Sequence, residues 1–488
     1  MLLTKNNIQA LLQPMGLPLM GEGTAMLLCL LPAFYFHDGT VGPILISGLF
    51  TLLCGLMVWL SVPRQRTTLD RRIPFLLVSL LWIVLALFGT LPFLTTGTIR
   101  QFSAACFESM SGLTSTGATV FGVIEALPAS VLLWRSLSQW VGGFGIVLLV
   151  LAVVPSLGIN KYSLYTAEAS GADNTGKSTA GIRDTVQRTM AIYVLLTVAG
   201  IVALWSSGMA LWPAVNLTLT NISSGGFSIY SDSLASVPHR QQYILAIIML
   251  FSGINFTLLY NFFTLRFSRL RNKMEQFGSY FGILLIAVLF TSGALHWQMG
   301  YGWSDALRLG LVQSSSVLTT TGSLVADTEL WWRPVALFFV VLSFCGGMAG
   351  STTGGLKVMR VIILLRNVRN QLRNRLHPHA VNPVRLNGQP VGESLVENVT
   401  VIFLVFLATF VAFAALLVLC GLQAIEAVGA SVGCLTGYGP GLGRCGGLGN
   451  YGFFPPLAQW LLCIEMLMGR LECVTVIVLL LPGFWRKR

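Results

Sequence analysis

Stretches of about twenty mostly apolar residues recur along this chain, at 75–91, 244–263, 277–295, 401–419 and 457–481. Each is long enough to cross a hydrocarbon layer of roughly 30 Å. Within such a layer a backbone must satisfy its own hydrogen bonds, so these stretches read as helices, and an all-α membrane protein follows. Composition agrees: 54% of the residues are hydrophobic and 10% are charged, a balance too apolar for a water-soluble domain. The first apolar run, from about residue 17, lacks a small-residue cleavage site and is followed at once by a second at 42–60. A retained helix pair is therefore expected rather than a signal peptide.

The formal charge of +12 is unevenly placed. Arg64, Arg66, Arg71 and Arg72 fall between apolar runs, as do Arg266, Arg269, Arg271 and Lys273, then Arg366, Arg369, Arg373 and Arg375. Arg486, Lys487 and Arg488 close the chain, whereas the intervening loops carry Asp38, Glu125, Asp232, Asp327 and Glu329. This alternation is the positive-inside pattern. It places both termini and the basic loops in the cytoplasm, implies an even number of crossings, about ten, and removes nucleic acid as a reason for the charge.

Between successive apolar runs lies a recurring interruption: a short amphipathic segment, then a polar turn. The segments are 102–111, 212–220, 303–316 and 422–433. Taking Gly117, Gly225, Gly322 and Gly439 as corresponding points, the motif returns roughly every hundred residues, an internal repeat. The expected organisation is an N-terminal helix pair (1–71) and four repeats of helix, pore half-helix, filter loop and helix, at 72–155, 156–265, 266–375 and 376–488. A half-helix of ten to thirteen residues reaches only about 15–20 Å, too short to span. It must enter the membrane and turn back, which is tolerated only beside a protein-lined or watery path. Four such turns therefore imply one central pore.

A dehydrated monovalent cation needs oxygen ligands, and potassium filters supply backbone carbonyls. Aiming successive carbonyls at one axis requires backbone conformations that glycine reaches without steric cost. The candidate ion-binding residues are Thr114, Ser115, Thr116 and Gly117; Asn221, Ile222, Ser223, Ser224 and Gly225; Thr319, Thr320, Thr321 and Gly322; and Thr436, Gly437, Tyr438 and Gly439.

The runs 107–119, 140–145, 225–227, 319–322, 346–357, 439–443 and 468–472 together make the chain similar to the Trk/Ktr/HKT cation transporter superfamily, and within it to the bacterial TrkH/TrkG type. The resemblance covers essentially the whole chain. It implies a potassium uptake subunit of the bacterial inner membrane, a homodimer with one pore per protomer, that binds a cytosolic ring of TrkA-like nucleotide- and NAD-binding regulatory subunits. Gly117 stands where poorly selective members carry serine, which favours potassium. The fourth turn, with Tyr438, departs from the small or Asn-containing stretch more usual in this type and leaves the outer width of the pore open.

Residues 345–356 interrupt what would otherwise be one long helix with Gly346, Gly347, Gly350, Ser351, Thr352, Thr353, Gly354 and Gly355. Helix propensity disfavours continuity there, and the resemblance implies an intramembrane gating loop. Arg470 lies deep in the last apolar run and is expected beside that loop, as a gate charge or as an ion-pair partner of Glu465 or Glu472. Lys357 opens a basic amphipathic stretch to Arg375, suited to anionic lipid or to the regulatory partner.

Other patterns carry less. Residues 171–178 match the phosphate-loop pattern but lack the strand and α/β domain that such a loop needs. His377 and His379 have no arranged carboxylate or thiol beside them. Cys434 and Cys445 flank one outer loop, where an oxidising compartment can join them. No covalently bound cofactor is expected, only potassium ions in the filter, and no constellation calls for an enzyme. A gated, channel-like pathway is the leading reading. The alternative, a proton- or sodium-coupled symporter, would require broken helices and alternating access.

Overall fold

The computed structural model describes residues 5–62, 72–153, 179–265, 274–377 and 382–486. The phosphate-loop-like stretch 171–178 and His379 lie outside the described residues. Six described helices are long and apolar enough to cross a membrane, and a seventh span is formed by His239–Ser252 and Phe256–Phe263 if that pair, bent by 104°, is counted as one. The expected ten is reached only by adding helices that polar residues or breaks interrupt: Ala129–Val153, Arg333–Cys345 with the segment after it, and Pro456–Leu471 with Cys473–Leu480.

The N-terminal pair, Lys5–Leu28 and Val41–Ser61, is zipped by glycines spaced seven apart on both helices. A Cβ on Gly23 would lie 2.6 Å from Leu52 N, and one on Gly55 2.7 Å from Met20 N. Small residues let two backbones approach where no water drives them together. The first helix of this pair packs on Ile73–Phe88 and Ala129–Val153, outside the central ring.

Four half-helices build that ring: Phe102–Leu113, Leu211–Ile222, Trp303–Leu318 and Ala424–Thr436, of 12, 12, 16 and 13 residues. Each packs on the inner helix that follows it and on the inner helix of the preceding repeat, and the first half-helix closes the circle on Pro456–Leu471 of the fourth. Lipid-facing outer helices surround this arrangement, with Leu285, Ile286, Leu404 and Val411 more than half exposed, as apolar solvent permits.

The inner helices of the second, third and fourth repeats are all broken. Asn255 caps the restart of the second by accepting from Leu258 N at 3.0 Å. The third stops at Gly346 (φ 64°) and restarts after Lys357 (φ 71°). The fourth breaks at Glu472 (φ 64°). A short antiparallel hairpin, Arg385–Leu386 with Gln389–Pro390, joins the third repeat to the fourth.

Candidate functional site: four turns and the loop beneath them

Every half-helix ends in a hydroxyl residue bonded to the carbonyl four positions earlier: Thr114 to Met110 (2.7 Å), Ser223 to Leu219 (2.9 Å), Thr319 to Ser315 (2.7 Å) and Thr436 to Val432 (2.7 Å). From that point the backbone repeats one pattern, with positive φ at the next residue and again two further on. The pairs are Ser115 and Gly117, Ser224 and Gly226, Thr320 and Gly322, and Gly437 and Gly439.

The second turn therefore differs in register from the sequence alignment. Gly226 (φ 74°), not Gly225, is the counterpart of Gly117, Gly322 and Gly439. Gly225 instead matches Thr116, Thr321 and Tyr438, while Asn221 and Ile222 belong to the end of the second half-helix. The packing between turns explains the shift. A Cβ on Gly117 would lie 2.1 Å from the Gly225 carbonyl oxygen, one on Gly226 1.8 Å from that of Thr321, one on Gly322 2.0 Å from that of Tyr438, and one on Gly439 2.4 Å from that of Thr116. Each turn thus sets a glycine against the next turn's carbonyl, and the fourth returns to the first. No side chain fits at any of the four.

The turns separate two cavities. The outer one, about 60 Å³, is bounded by the four positive-φ glycines. The inner one, about 120 Å³, lies between Thr114–Thr116 and Thr436 above and the loop 349–355 with Arg470 below. The C-terminal ends of the half-helices, where the helix dipole is negative, meet at the turns, a field that favours a cation.

The loop is bolted to the underside of the turns. Gly354 N donates to Thr320 Oγ1 (2.7 Å), Gly355 N to the Thr436 carbonyl (2.9 Å) and Thr352 Oγ1 to the Ile222 carbonyl (3.1 Å). Met348 N donates to the Gly253 carbonyl (2.9 Å), tying the loop to the break in the second inner helix. Thr353 Oγ1 accepts from Gly347 N and shares a hydrogen bond with Ser351 Oγ (2.8 Å). Lys357 Nζ donates back to the Thr353 carbonyl. Arg470 donates to the carbonyls of Thr352 (3.1 Å), Gly142 (2.7 Å) and Gly143 (3.1 Å), while Glu472 pairs with Arg360 and Glu465 accepts from Ser431. Cys434 and Cys445 are free, buried thiols rather than a disulfide.

A family model described as "TrkH: Cation transport protein" matches residues 43–299 and 300–485. The chain belongs to the TrkH family. Among its relatives, the "Trk system potassium uptake protein TrkH" of Halomonas elongata is 33% identical over 99% of this chain and 100% of that protein. The TrkG protein of Escherichia coli is 28% identical over 95% of this chain and 96% of its own length. The crystal structure of the potassium transporter TrkH from Vibrio parahaemolyticus superposes with a TM-score of 0.88 at 31% identity, covering 98% of this chain and 100% of that one. The fold is therefore the all-α, multi-pass membrane fold of the TrkH family.

In this TrkH-family chain, several supports of the turns were not singled out from the sequence. Glu108 and Arg135, both buried, pair at 2.8 Å behind the first turn. Glu108 also accepts from Thr119 Oγ1 and Val120 N, while Arg135 donates to the Ser228 carbonyl and stacks 4.1 Å over Phe227. A charge of each sign within otherwise apolar membrane segments is the signal that could have found them. Gln139 holds the second turn, its Nε2 on the Gly225 carbonyl (2.8 Å) and its Oε1 accepting from Phe227 N (3.0 Å).

Proposed function

We propose that the chain is the translocation subunit of a Trk-type potassium uptake system, and that dehydrated potassium passes through the four turns on backbone carbonyls of residues 114–117, 223–226, 319–322 and 436–439. The observation that carries this reading is the closed ring in which each turn's glycine abuts the next turn's carbonyl. Carbonyl dipoles can replace a hydration shell yet release the ion quickly, which a full charge would not allow. The relatives' names specify potassium, and the inside-negative potential supplies about 2.3 kcal/mol per charge for each 100 mV.

The loop 345–356, with Lys357 and Arg470, is the gate. The reading is supported by the loop's bonds to Thr320, Thr436 and Ile222 and by the Arg470 bond to the Thr352 carbonyl, because a cation leaving the filter there would meet both a steric block and positive charge. The protein resides in the bacterial inner membrane with basic loops and termini cytoplasmic, works as a homodimer in contact with lipid, and answers to a cytosolic TrkA-like nucleotide- or NAD-binding ring.

The test is the reversal potential of the purified protein in a planar bilayer under opposed potassium and sodium gradients, repeated with a pH gradient. Reversal that follows potassium alone supports the reading. Displacement by the pH gradient overturns it in favour of coupled transport.

A further inference from the structure

The four turns are braced in two different ways. In the first and third, the turn's own hydroxyls hold it: Thr114 Oγ1 and Thr116 Oγ1 are 2.8 Å apart, and Thr319 Oγ1 and Thr321 Oγ1 are 2.7 Å apart. The second and fourth turns carry Gly225 and Tyr438 at the position of Thr116 and Thr321, so that internal pair cannot form. They also hold the most glycine, Gly225-Gly226 and Gly437-Tyr438-Gly439, and hence the most backbone freedom to be restrained.

For the second turn the restraint is Gln139. For the fourth it is Tyr451, a residue outside every filter stretch that arrives from the loop before the last inner helix. Its hydroxyl donates to the Gly439 carbonyl at 2.7 Å, and its backbone N–H donates to the Thr119 carbonyl of the first repeat at 2.8 Å. The residue is 2% exposed, and its ring packs on Phe107 and Phe454, with centroids 5.3 and 5.1 Å away. Gly439 N meanwhile donates to the Gly433 carbonyl at 3.0 Å. The Gly439 N–H shares its peptide with the Tyr438 carbonyl that abuts Gly322, and the bond to Gly433 holds that peptide, while the Tyr451 hydroxyl holds the next one, so both peptides flanking Gly439 are anchored. A second, longer strut runs from Gln313 Nε2 to Tyr438 Oη at 3.3 Å.

We infer that Tyr451 is a positioning residue for cation specificity: it braces the fourth turn against widening and closes the seam between the fourth repeat and the first. This rests on the filter reading above. A carbonyl ring that can relax inward or outward by rotation of one peptide coordinates a smaller or a partly hydrated ion more easily, so the loss of one strut weakens discrimination without blocking the path.

The experiment is the bi-ionic reversal potential of Tyr451→Phe beside the parent protein, with thermal stability measured on both. Removing one buried hydrogen bond is expected to lower the potassium-to-sodium permeability ratio by about threefold to tenfold while potassium flux persists. An unchanged ratio in a variant that is only less heat-stable overturns the inference, because a merely structural tyrosine would not move a reversal potential. Should Tyr451→Phe not yield folded protein, Phe107→Leu, which loosens the seat of the Tyr451 ring, is expected to lower the ratio in the same sense; an unchanged ratio there overturns the inference. If the parent protein itself does not discriminate potassium from sodium, the filter reading falls first and this inference with it, a result recognisable without any variant.

Discussion

The Arg470 guanidinium donates to the Thr352 carbonyl at 3.1 Å, and the Thr352 hydroxyl in turn donates to the Ile222 carbonyl at 3.1 Å. Through these two bonds the last inner helix, the loop of the third repeat and the second half-helix are joined beneath the turns. Replacing Arg470 by Gln removes both the charge and the reach. Hydrogen bonds to a charged group are worth about 1.5–3 kcal/mol each, so basal rubidium flux into proteoliposomes without a regulatory partner should rise about tenfold or more. Unchanged flux would sink the gate role of Arg470.

The register of the second turn makes a separate prediction. A methyl on Gly226 would meet a backbone carbonyl, whereas one on Gly225 would meet the Gln139 side chain, with its nearest atom 2.4 Å away. A side chain can be shortened and a carbonyl cannot. Gly225→Ala should therefore recover assembly and flux when combined with Gln139→Ala, and Gly226→Ala should recover in no such combination. Rescue of Gly226→Ala would restore the alignment drawn from sequence.

Glu108 and Arg135 test the frame around the first turn. Breaking a buried pair by removing one partner leaves the other charge uncompensated, at a cost of about 3–5 kcal/mol. Thermal unfolding in detergent should show Arg135→Met to be strongly destabilised. The double variant Glu108→Gln with Arg135→Met should be less so, and equal losses in the two would argue against a coupled pair.

Acid lability should appear at Asp38, in the turn ahead of Val41–Ser61. Burial pushes the Asp38 carboxyl up, but bonds from Thr40 Oγ1 (2.6 Å), Ser130 N (3.0 Å) and Thr40 N (3.0 Å) outweigh it and hold the group below the ordinary aspartate value of 3.8. A depressed folded-state value means that the contribution is complete above the unfolded value and disappears as pH falls through the folded one. Asp38→Asn should accordingly be less stable than the parent at neutral pH, with the difference closing below about pH 4. A difference that persists unchanged into acid would show that the carboxylate's charge is not what those donors recognise.

Much of the architecture is legible because its signals are local. A half-helix such as Leu211–Ile222 declares itself by being too short and too polar at its end to span, and the outer helix Glu393–Leu419 by an uninterrupted apolar length. The break at 346–357 is visible as five glycines in what should be helix. Less legible are contacts between distant segments. Tyr451 reads as one aromatic among several in a glycine-rich loop, and Gln139 as one polar residue in an inner helix; neither shows its partner until Gly439 and Gly225 are brought beside them.

The sequence by itself determined that this chain lies in a membrane, that it repeats four times, and that each repeat turns back on polar residues, since length, hydropathy and charge alternation act residue by residue. Only the tertiary structure decided which of two adjacent glycines, Gly225 or Gly226, occupies the ring. The two are chemically identical and both tolerate positive φ, so nothing local separates them. The choice is made by the contacts between segments: the Thr321 carbonyl of the next repeat abuts Gly226, and Gln139, donating to the Gly225 carbonyl and accepting from Phe227 N, fixes the peptides on either side.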